Sequence, residues 1–275
     1  MAAPAKVPEG IARSWKQMLL KPNDRRLKEP RFQVGHTLAI YWDTVARCMT
    51  MRARRDAEAS GQVLYLIQAA DTCTPNMPPA AAKKLLNKVN PGDTGLMHGL
   101  LLIHVGMRVR LLDHIDKAKG LVKDAEGDVV RVEINPADAD EVDSARREGR
   151  PAYLRHLPFG IWLSMAKYEG APFVKRLQKL TDGISTQDAR SLLFVEPKPS
   201  SQFYFTTKVE PVGKVTFSVV RTGFVLSHGR VITSTACQGK TLRDGVIIDA
   251  GRRLGGQNPT REDDFWLHLY VSSSF

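Results

Sequence analysis

The 275-residue chain has little of what would define a secreted, metal-bound or membrane protein. It holds three cysteines, Cys48, Cys73 and Cys237, far apart and without a Cys-x-x-Cys pair. An odd, scattered set argues against a disulfide framework or a zinc site, and favours a reducing compartment. The longest strongly apolar run, Leu100 to Val105, is interrupted by His104. It is far short of the roughly 20 residues that a membrane helix needs. The first residues lack an apolar signal core. No internal repeat and no long low-complexity stretch occurs. The phosphate-loop signature Gly-x-x-x-x-Gly-Lys-[Ser/Thr] is missing, as is an apolar strand leading into an Asp-Glu pair. Glu262-Asp263-Asp264 follows no such strand and reads as a solvated loop.

What is present is positive charge. The formal charge is +11, unevenly spread. Residues 1–60 carry 12 basic and 6 acidic side chains, and residues 151–275 carry 16 and 10. Residues 124–149 carry 9 acids and 3 bases. Basic regions either side of an acidic segment suit a polyanionic partner, because Lys and Arg displace the counterions of phosphates. A basic protein without such a partner has the same composition.

Residues 1–30 are basic and proline-containing, and read as a poorly ordered tail with one short helix, Ile11 to Leu20. From His36 to Ala59 the spacing of Leu38, Tyr41, Trp42, Val45 and Met49 predicts a helix. Its other face carries Arg47, Arg52, Arg54 and Arg55, candidates for DNA contact or simply a solvated face. Val63 to Ile67 reads as a buried strand, and Ala80 to Val89 as a short helix. Met107, Val109 and Leu111 alternate with Arg108 and Arg110, and Asp128 to Ile134 alternates again. Two such strands around the turn Gly120 to Gly127 predict a hairpin within a small barrel. Residues 135–150 read as an acidic, solvated loop, and Glu196 to Ser201 as a hinge. Leu157 to Leu163 and Phe203 to Phe205 read as further strands.

Candidate chemistry is sparse. His98, His104 and His114 lack paired ligands in helical register and read as structural histidines. Asp138, Asp140, Glu141 and Asp143 have no glycine at the turn that a calcium loop requires. Trp42, Trp162 and Trp266 lie in apolar runs and read as core. Phe203, Tyr204 and Phe205, flanked by Lys198 and Lys208, are better candidates for stacking on bases. Gly239-Lys240-Thr241 imitates the end of a phosphate loop, but the first glycine position holds Ser234.

One segment carries more information. An apolar approach, Phe224-Val225-Leu226 and Val231-Ile232, leads into Thr233-Ser234-Thr235-Ala236-Cys237-Gln238-Gly239-Lys240-Thr241-Leu242. Val246-Ile247-Ile248-Asp249 follows. This run resembles the Thr-x-His-x-x-Gln-Gly-x-Thr-Leu motif of the RecD-like, PIF-type superfamily-one DNA helicases. Arg221 to Leu226 resembles the family's Arg-x-x-Phe-Pro-Leu approach. Val105 to Leu112 with Gly120-Leu121-Val122 and Gly127 to Val130 is similar to its glycine-rich hairpin segment. Leu157 to Leu163 is similar to its Leu-Pro strand. The resemblance covers roughly residues 98–275, more weakly 36–75.

The resemblance implies an α/β fold, a partial RecA-like second lobe with an inserted SH3-like β-barrel. The expected divisions are a tail over 1–30, the lobe's first part over 31–97, the insertion over 98–200 and the lobe's remainder over 201–275. It implies the C-terminal half, or a degenerate copy, of an ATP-dependent 5′-to-3′ DNA helicase. Gln238 and Gly239 match the family's ATP-cleft pair. Thr233, Thr235, Thr241 and Arg221 fall at positions facing DNA. Single-stranded DNA is the implied partner, with a separate N-terminal lobe as a second. ATP and Mg2+ are implied by the family alone, since this chain lacks the groups that would hold them tightly. An intracellular site, nuclear or mitochondrial, is expected. Departures matter: Thr235 and Ala236 occupy the family's His and Lys positions, and Phe275 the place of the final motif's arginine. A non-enzymatic nucleic-acid-binding or partner-binding module is the alternative.

Overall fold

The computed structural model describes residues 25, 29, 35–166, 168, 191–237, 242 and 246–249. The expected helix Ile11 to Leu20, Trp266 and the last motif lie outside the described residues.

The first element is not the expected helix. His36–Ala39 forms a strand (β1), and the helix (α1) begins only at Trp42–Ser60. β1 sits between two later strands, β14 (Val231–Thr233) and β15 (Val246–Asp249), and is parallel to both. Pairing with residues nearly two hundred positions away overrides the local helical spacing. The alternation is that of a strand covered on both faces. Leu38 and Ile232 pack with Cys237 on one face, while Ala39 and Val231 pack with Val45 of α1 on the other. Gly61, left-handed at φ 63°, ends α1 by donating its N–H to the last-turn carbonyls.

Two strands follow, β2 (Tyr65–Gln68) and β3 (Ala70–Thr74), then a short helix, α2 (Pro79–Leu86). β2 lies between antiparallel β4 (Leu100–Ile103) and parallel β7 (Ala152–Leu154). The expected hairpin is present: β5 (Arg108–Leu111) pairs antiparallel with β6 (Glu126–Glu133), Val109 opposite Gly127. Strands β8 (Gly160–Ser164), β9 (Leu192–Val195) and β13 (Leu226–His228) extend it to five, in the order β13-β5-β6-β8-β9. A bulge at Val130 bends β6. The sheet is open, with β13 and β9 at its edges; no closed barrel forms among the described residues. The SH3-like barrel is therefore not seen.

The expected hinge at 196–201 contains a paired strand, β10 (Lys198–Pro199), and Lys198 lies 3.0 Å from Asp113. β10 joins a long hairpin, β11 (Phe203–Val209) and β12 (Gly213–Gly223), and β12 also pairs with β3. α2 covers this sheet, setting Ala81 and Leu85 against Phe205, Phe217 and Val219. Hydrogen bonding thus crosses the expected divisions at 97/98 and 200/201, through β3–β12 and β5–β13.

The acidic segment is not a loop. Ala139–Glu148 is a helix (α3), with Val142 and Ala145 buried and Gly149 capping its end. Asp138, 1% exposed, accepts the backbone N–H of Arg155 and of His156 at 3.2 and 3.0 Å. Glu141 accepts two guanidinium bonds from Arg150, at 2.6 and 3.1 Å, and the Tyr153 N–H. These hydrogen bonds hold its carboxyl down to about 2. Asp138 and Glu141 thus tie α3 to β7 and the residues that follow it. No metal-binding group of His, Cys, Asp or Glu occurs among the described residues. None of their helices is long and apolar enough to cross a membrane.

Candidate functional site

The parallel registers set Ala39, Thr233 and Asp249 level with one another at the carboxyl ends of β1, β14 and β15. In parallel α/β layers this edge is where ligands bind. β14 ends there at Thr233, where the helicase-like segment begins, and β15 runs from Val246, level with His36, to Asp249.

The first residues of that segment are tightly bound to the layer. Ser234 is fully buried, and its N–H donates to the Ala39 carbonyl at 3.0 Å. A single helical turn, Thr235–Cys237, follows. Thr233, only 5% exposed, caps it: the hydroxyl accepts the Ala236 N–H at 3.3 Å and lies 3.2 Å from the Thr235 hydroxyl. Cys237 closes the turn, its N–H donating to Ser234 O at 3.4 Å and its thiol to the same carbonyl at 2.7 Å. Cys237 is buried between Leu38 and Ile232. Of the two expected threonines among the described residues, Thr235 is exposed and Thr233 is a capping residue. Gln238, Gly239, Lys240 and Thr241 lie outside the described residues.

The same hydrogen bonds test the fit of a nucleotide phosphate. A phosphate loop works by leaving successive backbone N–H groups free to surround the anion. Here the amides of Ser234, Ala236 and Cys237 are all spent within the protein. The described part of the segment does not fit a phosphate cradle.

Arg221 is a correction. It was expected to face DNA, yet its side chain is fully buried. It stands opposite Asp71 across β12 and β3, with Nε to Oδ1 at 2.7 Å and Nη2 to Oδ2 at 2.8 Å. A third bond runs from Nη1 to the Met97 carbonyl at 3.4 Å. Directly opposed residues of an antiparallel pair project to the same face, so this fork is a cross-strand pin.

The arginines of α1 divide. Arg54 and Arg55 are exposed, but Arg52 is 6% exposed, 3.5 Å from Asp56 and bonded to the Thr37 hydroxyl. Burial lowers Arg52 to about 10, a shift that Asp56 opposes. Along β11 the aromatic run alternates: Phe203 half-buried, Tyr204 exposed at 70%, Phe205 buried. Only Tyr204 offers a ring to solvent. Lys208 pairs with Glu210 at 2.9 Å. Trp162 is wholly buried, donating to Glu133 at 2.8 Å and stacked at a tilt on Phe194.

No protein-family model matches the chain, and no curated protein matches it. Among solved structures it is similar to the Pif1 helicase of Candida albicans, with 17% identity and a TM-score of 0.47. That match covers 97% of this chain and 48% of the helicase. It is similar also to Bacteroides Pif1 bound to single-stranded DNA, at 16% identity and TM-score 0.42, covering 87% of this chain and 38% of that one. A third match is Bacteroides Pif1 in complex with ADP-AlF3 and single-stranded DNA, at 15% identity and TM-score 0.41, covering 97% and 47%. The chain spans less than half the length of each of these Pif1 helicases.

Proposed function

We propose that this chain is the second-lobe half of a Pif1-like superfamily-one DNA helicase, as a fragment or degenerate copy, and that its retained activity is contact with single-stranded DNA. The observation that carries this reading is the three-stranded parallel layer β14-β1-β15, with the helicase-like segment starting at its carboxyl edge. Motif order and layer topology are separate lines of support for the reading. Thr235, exposed at that edge, offers a hydroxyl to a backbone phosphate, with Gln238, Gly239 and Thr241 next in sequence. Such contacts hold a strand without reading its bases. Tyr204 adds one exposed aromatic face for stacking.

ATP and Mg2+ belong to a complementary lobe. The amides of residues 234, 236 and 237 are committed, so this half contributes a wall to an ATP cleft rather than a phosphate cradle. Translocation therefore requires a further lobe that brings a phosphate loop, on this polypeptide or on another.

Fluorescence anisotropy with a thymidine oligonucleotide at low and moderate salt tests the reading. Binding that weakens as salt rises supports it, since counterion release makes single-strand affinity fall with a slope of about −0.7 per neutralised phosphate. No binding at either salt contradicts it. The alternative, a nucleic-acid-binding module with no nucleotide role, is favoured by Thr235 and Ala236 standing where the family has His and Lys. ATP separates the two: with a phosphate-loop lobe added, the nucleotide alters DNA affinity only under the first reading.

A further inference from the structure

At the other end of β14, away from Thr233, a cavity of about 360 Å³ opens between the C-terminal half of α1, the β4–β5 turn and the β13–β14 turn. Its wall includes Arg55, Asp56, His104, Arg108, His228 and Arg230. Three guanidinium groups meet one carboxylate. Arg55 lies 2.7 Å from Asp56, and Arg108 lies 2.9 Å from Asp128. The Arg230 side chain makes no hydrogen bond or ion pair with the described residues; its backbone N–H donates to His228 and its carbonyl accepts from Thr37. Two more arginines stand behind the wall, Arg52 beside Asp56 at 3.5 Å and Arg110 beside Asp124 at 2.6 Å.

The two imidazoles are held in defined states. His228 Nδ1 accepts the Arg230 N–H at 3.1 Å, so its neutral ring keeps the proton on Nε2. His104 Nδ1 donates to the Val105 carbonyl at 2.9 Å, which leaves a lone pair on its Nε2. Both Nε2 atoms are sealed from water and have no hydrogen-bond partner. Burial, reinforced by Arg52, His104, Arg230 and Arg110, holds His228 well below the ordinary imidazole range. A cation entering here would meet uncompensated positive charge; an anion would relieve it.

We infer that this cavity is a binding site for a phosphate group, held by Arg55, Arg108 and Arg230. Guanidinium forks match a tetrahedral oxyanion better than any other side chain. Asp56, Asp128 and the carbonyls ending α1 oppose an anion, but they offset only two of the three guanidinium charges, and that of Arg230 has no partner among the described residues. Inorganic phosphate and a nucleic-acid backbone present the same chemistry. The site lies before Val231, at the far edge of the layer, so it stands apart from the DNA contact proposed above.

The test is a phosphate titration of the full chain at fixed ionic strength, chloride replacing phosphate, followed in histidine-ring 1H–15N spectra. A second arm substitutes a thymidine oligonucleotide. The expected result is saturable movement of the His104 and His228 signals with phosphate, exposed His114 staying still. Arg230→Gln, which removes no bond within the protein, weakens the apparent Kd about tenfold or more. Movement with phosphate alone assigns a free anion; movement with the oligonucleotide, reversed by phosphate, assigns a backbone phosphate. Signals that never saturate, or an unchanged Kd in both Arg230→Gln and Arg55→Gln, overturn the inference. Oligonucleotide binding that persists in Arg230→Gln while phosphate binding fails leaves the helicase reading intact.

Discussion

Arg221 on β12 and Asp71 on β3 are 150 residues apart in sequence and face each other as a bidentate pair, 2.7 and 2.8 Å apart. The pair fastens the long β11–β12 hairpin to a strand from the first third of the chain. Removing one partner strands the other.

Arg221→Ala should therefore destabilise the fold by about 3–5 kcal/mol, the cost of an unpaired buried charge. Chemical denaturation checks this. Arg221→Met with Asp71→Leu should recover much of the loss, because an apolar pair of similar volume leaves no orphaned charge. Oligonucleotide affinity per folded molecule should not change. A folded Arg221→Ala protein with normal stability and weakened DNA binding would restore the sequence expectation.

A second prediction concerns acid. Glu141 titrates at about 2, chiefly through its bond from Arg150, below the unfolded value of 4.5. A lowered carboxyl stabilises the fold above 4.5, and the contribution disappears as pH falls through that window towards 2. The Glu141 carboxyl carbon shift should report a midpoint near 2, and Arg150→Gln should return it towards 4.5. A midpoint of 4.5 in the unaltered chain contradicts the clamp.

Buried histidines set the opposite end of the acid response. His98 bonds to Ser227 at 3.0 Å, and burial followed by Arg110 and Arg221 lowers it to about 4. Burial lowers His228 in the same direction. The unfolded chain protonates first as pH drops below 6.5, so stability should fall between 6.5 and 4. His98→Gln should flatten that slope in urea melts at pH 7 and pH 5. An equal slope in both proteins assigns the acid sensitivity elsewhere.

The sequence made some of this legible and hid the rest for physical reasons. The β5–β6 hairpin was readable because both strands alternate around Gly120 and Gly127, although Arg110 turned out buried against Asp124. The apolar runs at Val231 and Val246 were readable as strands. β1 was not: it is four residues long, and its partners begin at Val231 and Val246. Helix α3 had signals that its charge concealed. Asp140 and Glu141 stand in the first turn, Arg146 and Arg147 in the last, and Gly149 follows. The Arg221–Asp71 pair had no local signal, because register between β12 and β3 is fixed only by packing. The phosphate cavity drew on His104, His228 and Arg230, which no spacing rule joins.

A fourth prediction follows from the spent amides of residues 234, 236 and 237. The chain alone should show no ATP hydrolysis, with or without DNA, in a phosphate-release assay. Hydrolysis that disappears in Gln238→Ala would mean that this lobe holds a working cleft by itself.

The most direct test of the account is anisotropy of a labelled thymidine oligonucleotide with the full chain at two salt concentrations, repeated with Thr235→Ala. The account predicts binding that weakens with salt and weakens again by several-fold in the variant. Absence of binding at both salts, or salt-independent binding untouched by the substitution, contradicts it.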